Sequence, residues 1–400
     1  MTQQKINREK IKVLHIITVF SIGGATENTL LSVEYLQELG YDVSILTGEN
    51  IESEGSLFDR AKNNNIRVTI LKQLQKSIHP FYDLVALLKI FIFLRKNKFQ
   101  IVHTHSSKAG FLGRLAAYFA GVPIIIHTIH GLPFHEYQGK SLKNIFIFVE
   151  KLSAKISDKI ITVSDTIIQK CLKENIALEN KFVTVRSGFE VGNYLKLQKS
   201  NEEIRKRFGI SKDDLVIGKI ARFSPLKGHE YLIEVIPEIV KLFPNAKFVF
   251  VGSGELENIF RLEVEKRNIL SNVIFTGLIP QNQIPDMIAM MDIVVHTSLL
   301  EGLARVLPQS LLMKKGVISF DIDGAHEVIK NNKTGFLVSP MNKNQLRDAI
   351  IKMLNSKKLR NELGANGSKF VRDKWSVEAM GSGIDKLYKN LILEKQIKLK

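Results

Sequence analysis

Short apolar runs alternate with longer stretches of helical periodicity along most of this chain. The runs lack the polar–apolar alternation of a half-exposed strand, so they predict strands buried on both faces of a parallel sheet. In the first half we predict strands at Lys12–Val19, Asp42–Leu46, Arg67–Leu71, Ile101–Thr104, Pro123–Thr128, Lys159–Val163 and Phe182–Val185. In the second half we predict them at Leu215–Ile220, Lys247–Val251, Val273–Thr276, Ile293–His296, Gly316–Phe320 and Gly335–Val338.

Helices are predicted in the intervals, as at Glu27–Leu39, Gly110–Phe119, Asp165–Glu174, Tyr231–Leu242, Asn344–Leu354 and Val377–Leu393. Strands that alternate with helices predict an α/β fold. We expect two Rossmann-like domains with parallel sheets facing a central cleft, an N-terminal one over residues 1–190 and a C-terminal one over 191–375. Residues 376–400 are expected to form a helix that packs back on the N-terminal domain. The polar stretch Gly188–Asp213 is the predicted linker.

Size and charge narrow the class of protein. A chain of 400 residues suits two domains better than one core. The net charge of +17 is present in both halves, which fits an anionic small substrate or an anionic membrane surface. A DNA reader would more often concentrate its charge on one element. The single cysteine, Cys171, excludes an intramolecular disulfide and favours a reducing compartment.

The sequence predicts no membrane-spanning segment. The longest apolar stretch, Leu84–Leu94, includes Lys89 and is shorter than the roughly 20 residues that a span needs. Residues 1–12 are polar and lack the apolar core of a secretory signal. We therefore expect a cytoplasmic protein. Leu84–Leu94 and Ile145–Ile156 both carry basic residues at or near their ends, so each is either a core helix or one that lies on anionic lipid.

Two loops at predicted strand ends carry the most specific chemistry. The basic loop, Ala221–Gly228, follows one strand and presents Arg222 and Lys227. Arg provides a planar fork for two phosphate oxygens and Lys a mobile charge, so the pair suits a diphosphate. The acidic loop, Thr297–Arg305, follows another strand and presents Glu301, a carboxylate suited to vicinal hydroxyls. Together they indicate a sugar nucleotide, whereas the basic loop alone could be a solvated surface.

The acidic loop leads into a predicted helix, Val306–Met313, whose first backbone N–H groups suit phosphate. Gln309 lies eight residues after Glu301, so both can address one ligand if the helix starts between them. The alternative for Gln309 is an exposed helix residue. Asp321 and Asp323 form a two-carboxylate pattern that some transferases use for a divalent ion, but here a turn or cap role is favoured.

Further candidates lie at other strand ends. Gly252-Ser253-Gly254 resembles the start of a dinucleotide fingerprint without its third glycine, and we interpret it as a turn that lets a nucleotide approach the backbone. His130, before Gly131, could contact a sugar hydroxyl or be a structural loop residue. His103, His105 and Lys108 are predicted to bind an acceptor or to line the cleft. A metal is less favoured there, because no carboxylate or Cys cluster accompanies the histidines.

Together these residues resemble glycosyltransferase family 4, the retaining enzymes of the GT-B fold. The resemblance covers nearly the whole chain and rests on Gly23-Gly24, His130-Gly131, Arg222 with Lys227-Gly228, Gly252 with Gly254, and Glu301 with the helix after it. The stretch Val102–Gly121 is similar to bacterial members that build capsule, exopolysaccharide or O-antigen. The family implies an N-terminal acceptor-binding domain and a C-terminal nucleotide-sugar-binding domain.

The resemblance also implies roles for these residues. Arg222 and Lys227 would hold the donor diphosphate, and Glu301 would contact the donor sugar with help from the backbone of Gly302 and Leu303. His130 would contact the sugar near the reacting carbon. The pair Gly23-Gly24 would let its loop close over the phosphates, and the turn at Gly252 and Gly254 would border the nucleotide.

The chain departs from the family at Gln309, where members usually have a second Glu that grips the ribose. An amide oxygen still accepts from a hydroxyl, though more weakly than a carboxylate, so activity is expected to be retained. The implied mechanism needs no metal and no side-chain nucleophile. Cleft closure brings the substrates together, Arg222 and Lys227 stabilise the leaving diphosphate, and a donor phosphate oxygen takes the acceptor proton on the same face.

We therefore expect a retaining hexosyltransferase that moves a sugar from a nucleotide-diphosphate sugar, with UDP as the expected nucleotide. The acceptor would be a glycan or a lipid-linked glycan, and the enzyme would touch the inner face of the cytoplasmic membrane. No cofactor and no nucleic-acid partner is expected. The alternatives are a sugar-nucleotide epimerase or hydrolase, which would act on the donor alone, and a basic nucleic-acid-binding protein.

Overall fold

A computed structural model describes residues 10–49 and 57–397, so most of the polar N-terminal segment, residues 1–12, lies outside the described residues. The chain divides into two compact units. Unit 1 comprises residues 1–188 and 377–400, and unit 2 comprises residues 189–376. These limits fall within two residues of the domain boundaries drawn from the sequence.

Unit 1 contains a parallel sheet of seven strands in the order β3-β2-β1-β4-β5-β6-β7. The strands are β1 (Lys12–Ile17), β2 (Asp42–Thr47), β3 (Arg67–Ile70), β4 (Ile101–His105), β5 (Ile124–Ile129), β6 (Lys159–Thr162) and β7 (Phe182–Thr184). Its helices are α1 (Gly24–Glu38), α2 (Phe58–Asn63), α3 (Pro80–Asn97), α4 (Ser107–Ala120), α5 (Lys140–Lys155) and α6 (Asp165–Lys173).

Unit 2 contains a parallel sheet of six strands in the order β10-β9-β8-β11-β12-β13. The strands are β8 (Leu215–Ile220), β9 (Ala246–Val251), β10 (Val273–Phe275), β11 (Ile293–His296), β12 (Gly316–Phe320) and β13 (Phe336–Val338). Its helices are α7 (Val191–Leu195), α8 (Asn201–Arg207), α9 (His229–Leu242), α10 (Glu257–Lys266), α11 (Ile284–Met290), α12 (Val306–Leu312), α13 (Ala325–Val328), α14 (Lys343–Leu354) and α15 (Lys357–Val371).

Both sheets are the parallel, doubly covered kind that the apolar runs predict, and the α/β prediction is confirmed. Every predicted strand is present, with ends within two residues of the predicted ones. In each sheet the strand order reverses once, between β1 and β4 in unit 1 and between β8 and β11 in unit 2. Ligands of such sheets bind at the carboxyl ends of the strands beside that reversal.

The last helix, α16 (Val377–Glu394), belongs to unit 1 and packs against α1. Its buried residues Met380, Ile384 and Leu391 share one apolar cluster with residues of α1 and β1, including Leu30. None of the helices in the described residues has the length and apolar character needed to cross a bilayer.

The predicted linker Gly188–Asp213 is corrected. Most of it belongs to unit 2 and forms the short helices α7 and α8, and α8 packs against α11. Ser200 and Glu203 form a capping box at the start of α8, in which each side chain accepts a hydrogen bond from the other residue's backbone N–H. Ile204 is the buried residue of this helix. The guanidinium of Arg205 donates to the carbonyl oxygen of Met290 over 2.9 Å. The stretch is therefore polar because it is largely exposed, and its caps and the hydrogen bonds of Arg205 give it helical structure within unit 2.

Candidate functional site

The basic loop and the acidic loop meet at the strand-order reversal of unit 2. The backbone N–H of Leu299 donates to the carbonyl oxygen of Leu226 over 2.8 Å. The hydroxyl of Thr297 donates to the carbonyl oxygen of Gly228 over 2.5 Å. Gly228 has a φ of +65°, and a Cβ there would lie 1.9 Å from the carbonyl oxygen of Thr297. Only glycine fits both the conformation and the space, and this close approach brings the two loops together.

At that junction the ammonium of Lys227 donates to Oε1 of Glu301 over 2.6 Å. The ring Nε2 of His296, at the end of β11, lies 3.5 Å from the same oxygen. From the other side, the carboxylate of Asp323 accepts a hydrogen bond of 2.7 Å from the backbone N–H of Glu301. The sequence predicted both Lys227 and Glu301 as ligand contacts, and the structure pairs them with each other.

Burial alone would raise the pKa of the Glu301 carboxyl. The charge of Lys227 and hydrogen bonds from His296 and Lys227 outweigh it and hold that pKa well below its ordinary value. Burial lowers the pKa of His296, against the pull of Glu301. Glu301 is therefore ionised throughout the physiological range, and it can accept hydrogen bonds but not donate them.

Lys219, inside β8, is a third cation at this site that the motifs did not indicate. Its side chain is buried and its ammonium donates to the hydroxyl of Thr297 over 2.9 Å. Burial lowers the pKa of Lys219 to about 7, with a contribution from the charge of Lys227 and against the opposing pull of Glu301. The available signal was a lysine in an otherwise apolar strand, since a buried strand position rarely carries a charge without a partner.

The other predicted donor residues take varied positions. Arg222 is exposed at the start of the basic loop. Gly302, Leu303 and Gln309 are buried, which excludes the exposed alternative for Gln309. Its helix, α12, begins at Val306, between Glu301 and Gln309 as the shared-ligand interpretation requires.

The turn at Gly252 and Gly254 packs against the basic loop. Both residues have a positive φ, and a Cβ on Gly252 would lie 2.3 Å from the carbonyl oxygen of Ala221, one on Gly254 2.4 Å from that of Phe223. Hydrogen bonds of 2.9 Å and 3.0 Å join Phe223 to Ser253 and Leu256. The backbone that approaches these glycines is that of the basic loop. These glycines therefore support the loop that carries Arg222, and the expectation that this turn also borders a nucleotide stays a prediction.

In unit 1, Gly23 and Gly24 lie at the start of α1, beside the strand-order reversal, and both are exposed. The φ of 173° at Gly23 is extended backbone that any residue adopts. A Cβ there would meet no atom closer than 4.0 Å. The described part of the chain therefore does not require glycine at position 23.

The predicted histidines form a hydrogen-bonded series, which we call the histidine chain. It consists, in order, of Thr128, His103, Tyr388, His15, His105 and His130. The successive distances between the bonded atoms are 2.6, 2.7, 3.4, 2.9 and 3.0 Å. Tyr388 reaches this series from α16. His130 is partly exposed, and the other members are buried.

The acceptor-side prediction for His103 and His105 is therefore corrected. Both are buried, and each ring nitrogen already has a partner within the chain, so neither offers a free atom to an acceptor. Lys108 is also engaged, because its ammonium donates to the carboxylate of Asp83 over 2.5 Å. Of the histidines predicted from the sequence, His130 is the one that a ligand can reach.

Three of these histidines also have the geometry of a metal site. The ligating nitrogens of His15, His103 and His105 lie within 4.8 Å of one another. In the described residues, however, these nitrogens bond to one another, to Tyr388, to Thr128 and to His130. A metal would have to displace those hydrogen bonds, although three imidazoles are in themselves a donor set that holds zinc. The hydrogen bonds account for the packing of these rings without a metal.

Comparison with known proteins places this arrangement in a family. Residues 22–188 match the model of Glycosyltransferase Family 4, and residues 200–370 match the model of Glycosyl transferases group 1. The chain belongs to the family-4 glycosyltransferases. Both matches fall where the sequence motifs predicted them, one in each unit.

This glycosyltransferase has relatives of the same length. It is 26% identical to the UDP-Gal:alpha-D-GlcNAc-diphosphoundecaprenol alpha-1,3-galactosyltransferase of Escherichia coli, covering 98% of this chain and 100% of that one. It is 26% identical to the capsular polysaccharide biosynthesis glycosyltransferase CapM of Staphylococcus aureus, covering 96% and 98%. The structure of HepE from Anabaena with UDP and glucose superposes with a TM-score of 0.82 at 18% identity, covering 95% and 99%. The last comparison shows the shared GT-B fold.

Proposed function

We propose that this glycosyltransferase moves a sugar from a UDP-sugar to a lipid-linked glycan acceptor in the synthesis of a cell-surface polysaccharide. The observation that carries the proposal is the junction of Lys227, Glu301 and Lys219 at the strand-order reversal of unit 2. A cation 2.6 Å from an ionised carboxylate, with a second lysine bonded to Thr297 of the same loop, suits a ligand that has both a diphosphate and hydroxyls. The full-length likeness to a galactosyltransferase that acts on GlcNAc-diphosphoundecaprenol supports the acceptor class.

In this proposal Arg222 and Lys227 stabilise the charge that develops on the leaving diphosphate. Lys227 is already held by Glu301, so a bound donor would share the ammonium while Glu301 accepts hydrogen bonds from the sugar. A donor phosphate oxygen takes the proton of the acceptor hydroxyl as the new bond forms on the face that the diphosphate leaves, so the configuration is retained. No metal is assigned to any of these steps.

The proposal is tested by incubating the purified enzyme with a panel of UDP-sugars and a synthetic polyprenyl-diphosphate GlcNAc acceptor. We expect UDP release that depends on the acceptor, with one sugar strongly preferred, and an α-linked product by NMR. A new sugar nucleotide or a free sugar formed without acceptor would identify an epimerase or a hydrolase instead. The same UDP-sugar should raise the melting temperature, because it binds only the folded state.

We further propose that unit 1 contacts an anionic membrane surface. The exposed apolar residues Phe81, Leu84, Leu88 and Ile92 follow one another at helical spacing along α3, and Leu142, Ile145, Phe148 and Leu152 do so along α5. Both helices also present exposed basic residues, among them Arg95, Lys96, Lys140 and Lys155. Each such charge near an anionic surface contributes about 1 kcal/mol, so a few support reversible binding.

Co-sedimentation with vesicles tests this contact. We expect binding to anionic vesicles at low salt, weaker binding at high salt and little binding to neutral vesicles, because salt screens exposed charges. The double variant Leu84→Ser/Leu88→Ser should bind less. The control Ile259→Ser/Leu262→Ser removes two similarly exposed apolar residues from α10 of unit 2 and should bind normally. Equal, negligible binding of the unmodified protein to both vesicle types would favour a soluble acceptor.

A further inference from the structure

The turn after β12 contains an aspartate where the backbone conformation favours glycine. The backbone N–H of Ala325 donates to the carbonyl oxygen of Ile322 over 2.9 Å, which closes a four-residue turn. Asp323, the first central residue, has a φ of +45°, and Gly324, the second, has a φ of −79°. Turns with these signs are type II′, in which glycine is favoured at the first central position. Here the aspartate occupies that position and the glycine follows it.

The contact of this aspartate with the acidic loop offsets the cost of its conformation. A residue with a side chain is sterically disfavoured at a positive φ, so the surrounding structure has to hold it there. Asp323 is 8% exposed, and its carboxylate accepts the 2.7 Å hydrogen bond from the backbone N–H of Glu301. Glycine at position 323 would suit the turn better but would remove this acceptor. The aspartate therefore serves the acidic loop more than its own turn.

This contact joins three loops that lie side by side. The strands β8, β11 and β12 are neighbours in the sheet of unit 2, so the basic loop, the acidic loop and this turn follow adjacent strand ends. Glu301 belongs to the middle loop. The ammonium of Lys227 holds its carboxylate from the β8 side over 2.6 Å, and the carboxylate of Asp323 holds its backbone from the β12 side. The side chain and the main chain of Glu301 are therefore held by different partners.

We propose that Asp323 is a positioning residue for glycosyl transfer, which fixes the backbone of Glu301 so that the Glu301 carboxylate meets the donor sugar in one orientation. A sugar contact fixed before the donor binds lowers the barrier to transfer. The inference rests on the proposed function in its assignment of Glu301 to the donor sugar. Asp321, the other carboxylate of the pattern, is exposed and contacts the ring Nδ1 of His326 over 3.2 Å. The two aspartates therefore have different tasks.

The direct test is amide hydrogen exchange at Glu301 in the protein without any sugar nucleotide, measured by mass spectrometry of overlapping peptides across residues 297–305. In Asp323→Gly we expect this amide to exchange at least about tenfold faster, the value of a hydrogen bond to a charged group. Asp323→Asn keeps an oxygen acceptor on a side chain that tolerates a positive φ, so its exchange should stay close to that of the unmodified protein. Unchanged exchange in Asp323→Gly would overturn the proposal.

Two control variants separate positioning from stability. Asn268 is exposed after α10 with a φ of +55°, so Asn268→Gly makes the same kind of backbone change elsewhere in unit 2. Asp321→Ala removes the other carboxylate of the pattern. Both should keep the exchange and the turnover of the unmodified protein. Asp323→Gly should change the melting temperature by no more than about 3 °C, because the relief of the turn offsets the lost hydrogen bond. A much larger fall, shared by Asp323→Asn, would indicate a purely structural role and overturn the proposal.

Kinetics give a second readout, with UDP-galactose, UDP-glucose and UDP-N-acetylglucosamine tested in parallel. We expect kcat to fall about tenfold in Asp323→Gly and to recover to within about threefold in Asp323→Asn, whose amide oxygen still accepts. The affinity for UDP, which lacks the sugar, should stay within about twofold in both. Equal loss of kcat in both variants, or a loss of UDP affinity in its place, would contradict a positioning role. If exchange at Glu301 responds as expected but no UDP-sugar reacts, the proposed function fails and the contact of Asp323 with the acidic loop stands.

Discussion

The two units place polar side chains at equivalent points of their sheets, but those of unit 2 are charged and those of unit 1 are neutral. In unit 2 the strand ends beside the reversal carry charges, with Lys227 2.6 Å from Glu301 and Lys219 buried beneath them. In unit 1 the corresponding strand ends carry the histidine chain, whose buried rings are neutral because burial lowers their pKa values.

This difference suggests a division of tasks within one enzyme. A charged junction stabilises an anion that grows as a diphosphate leaves, and it depends on ionisation and salt. A neutral hydrogen-bonded series adds no charge, and its geometry depends on the positions of its protons. Substitutions in unit 2 should therefore change electrostatics, and those in unit 1 should change geometry.

The largest effect is expected from Arg222→Ala and Lys227→Ala in unit 2. Each removes a cation from the leaving diphosphate, and the loss of one such group typically costs about 10²- to 10³-fold in kcat. Steady-state kinetics with the preferred UDP-sugar measure this. Lys247→Ala is the control. Lys247 lies on β9 of the same sheet, and its ammonium donates to the carbonyl oxygen of Ser271 and not to any residue of the junction. Near-normal turnover in both site variants would contradict the assignment of the donor diphosphate to this junction.

A smaller effect should separate Glu301 from Gln309. Glu301→Gln replaces an ionised acceptor that Lys227 and His296 hold in place, and we expect kcat to fall about 10- to 100-fold. Gln309→Ala removes a neutral amide and should cost about two- to tenfold, seen mainly in donor affinity. Isothermal titration with UDP and steady-state kinetics compare the two. A greater loss in Gln309→Ala would reverse the roles assigned to these residues.

The smallest effect is expected from Lys219, and it depends on pH. Its pKa of about 7 lies below the unfolded value of roughly 10.4, so between those values the unfolded chain binds a proton that the folded chain has lost. Stability therefore rises with pH across that window, and Lys219→Met should flatten the rise. Donor affinity should show the opposite trend, because the ammonium is charged below pH 7.

Urea unfolding and UDP titration at pH 6 and pH 9 measure both trends. We expect Lys219→Met to weaken UDP binding about two- to threefold at pH 6 and less at pH 9. The control Lys247→Met removes a half-buried lysine whose ammonium donates to the carbonyl oxygen of Ser271, and it should leave both pH profiles unchanged. Identical profiles for Lys219→Met and the unmodified protein would mean that Lys219 is neutral at both values and takes no part in binding.

The sequence predicted the strands, the helices and the loops that follow them, because apolar periodicity and turn residues are local signals. Arg222, Lys227, Glu301 and His130 could be proposed for the same reason, since each lies in a loop that follows a strand. The sequence did not predict the hydrogen bonds that hold these residues in place, because they join residues far apart in the chain. Tyr388 bonds to His103 across 285 positions, and Asp323 holds the backbone of Glu301 from the next loop.

The glycines at positions 252 and 254 also show what a sequence motif leaves undetermined. Gly252 and Gly254 were correctly placed in a turn, but the sequence could not show that the approaching backbone would be that of Ala221 and Phe223. A missing side chain indicates that something comes close. It does not indicate whether that is a ligand or another part of the chain.

The position of α16 has a consequence for synthesis on the ribosome. Unit 2 is continuous in sequence, whereas unit 1 needs residues 377–394, which are made after unit 2. At about 5–20 residues per second, unit 1 waits roughly 10–40 s for that helix while unit 2 is made. During this interval α1 lacks its apolar partner, and His103 lacks the hydroxyl of Tyr388. A chain that stops before Val377 would therefore lose the unit that was translated first and keep the one translated second.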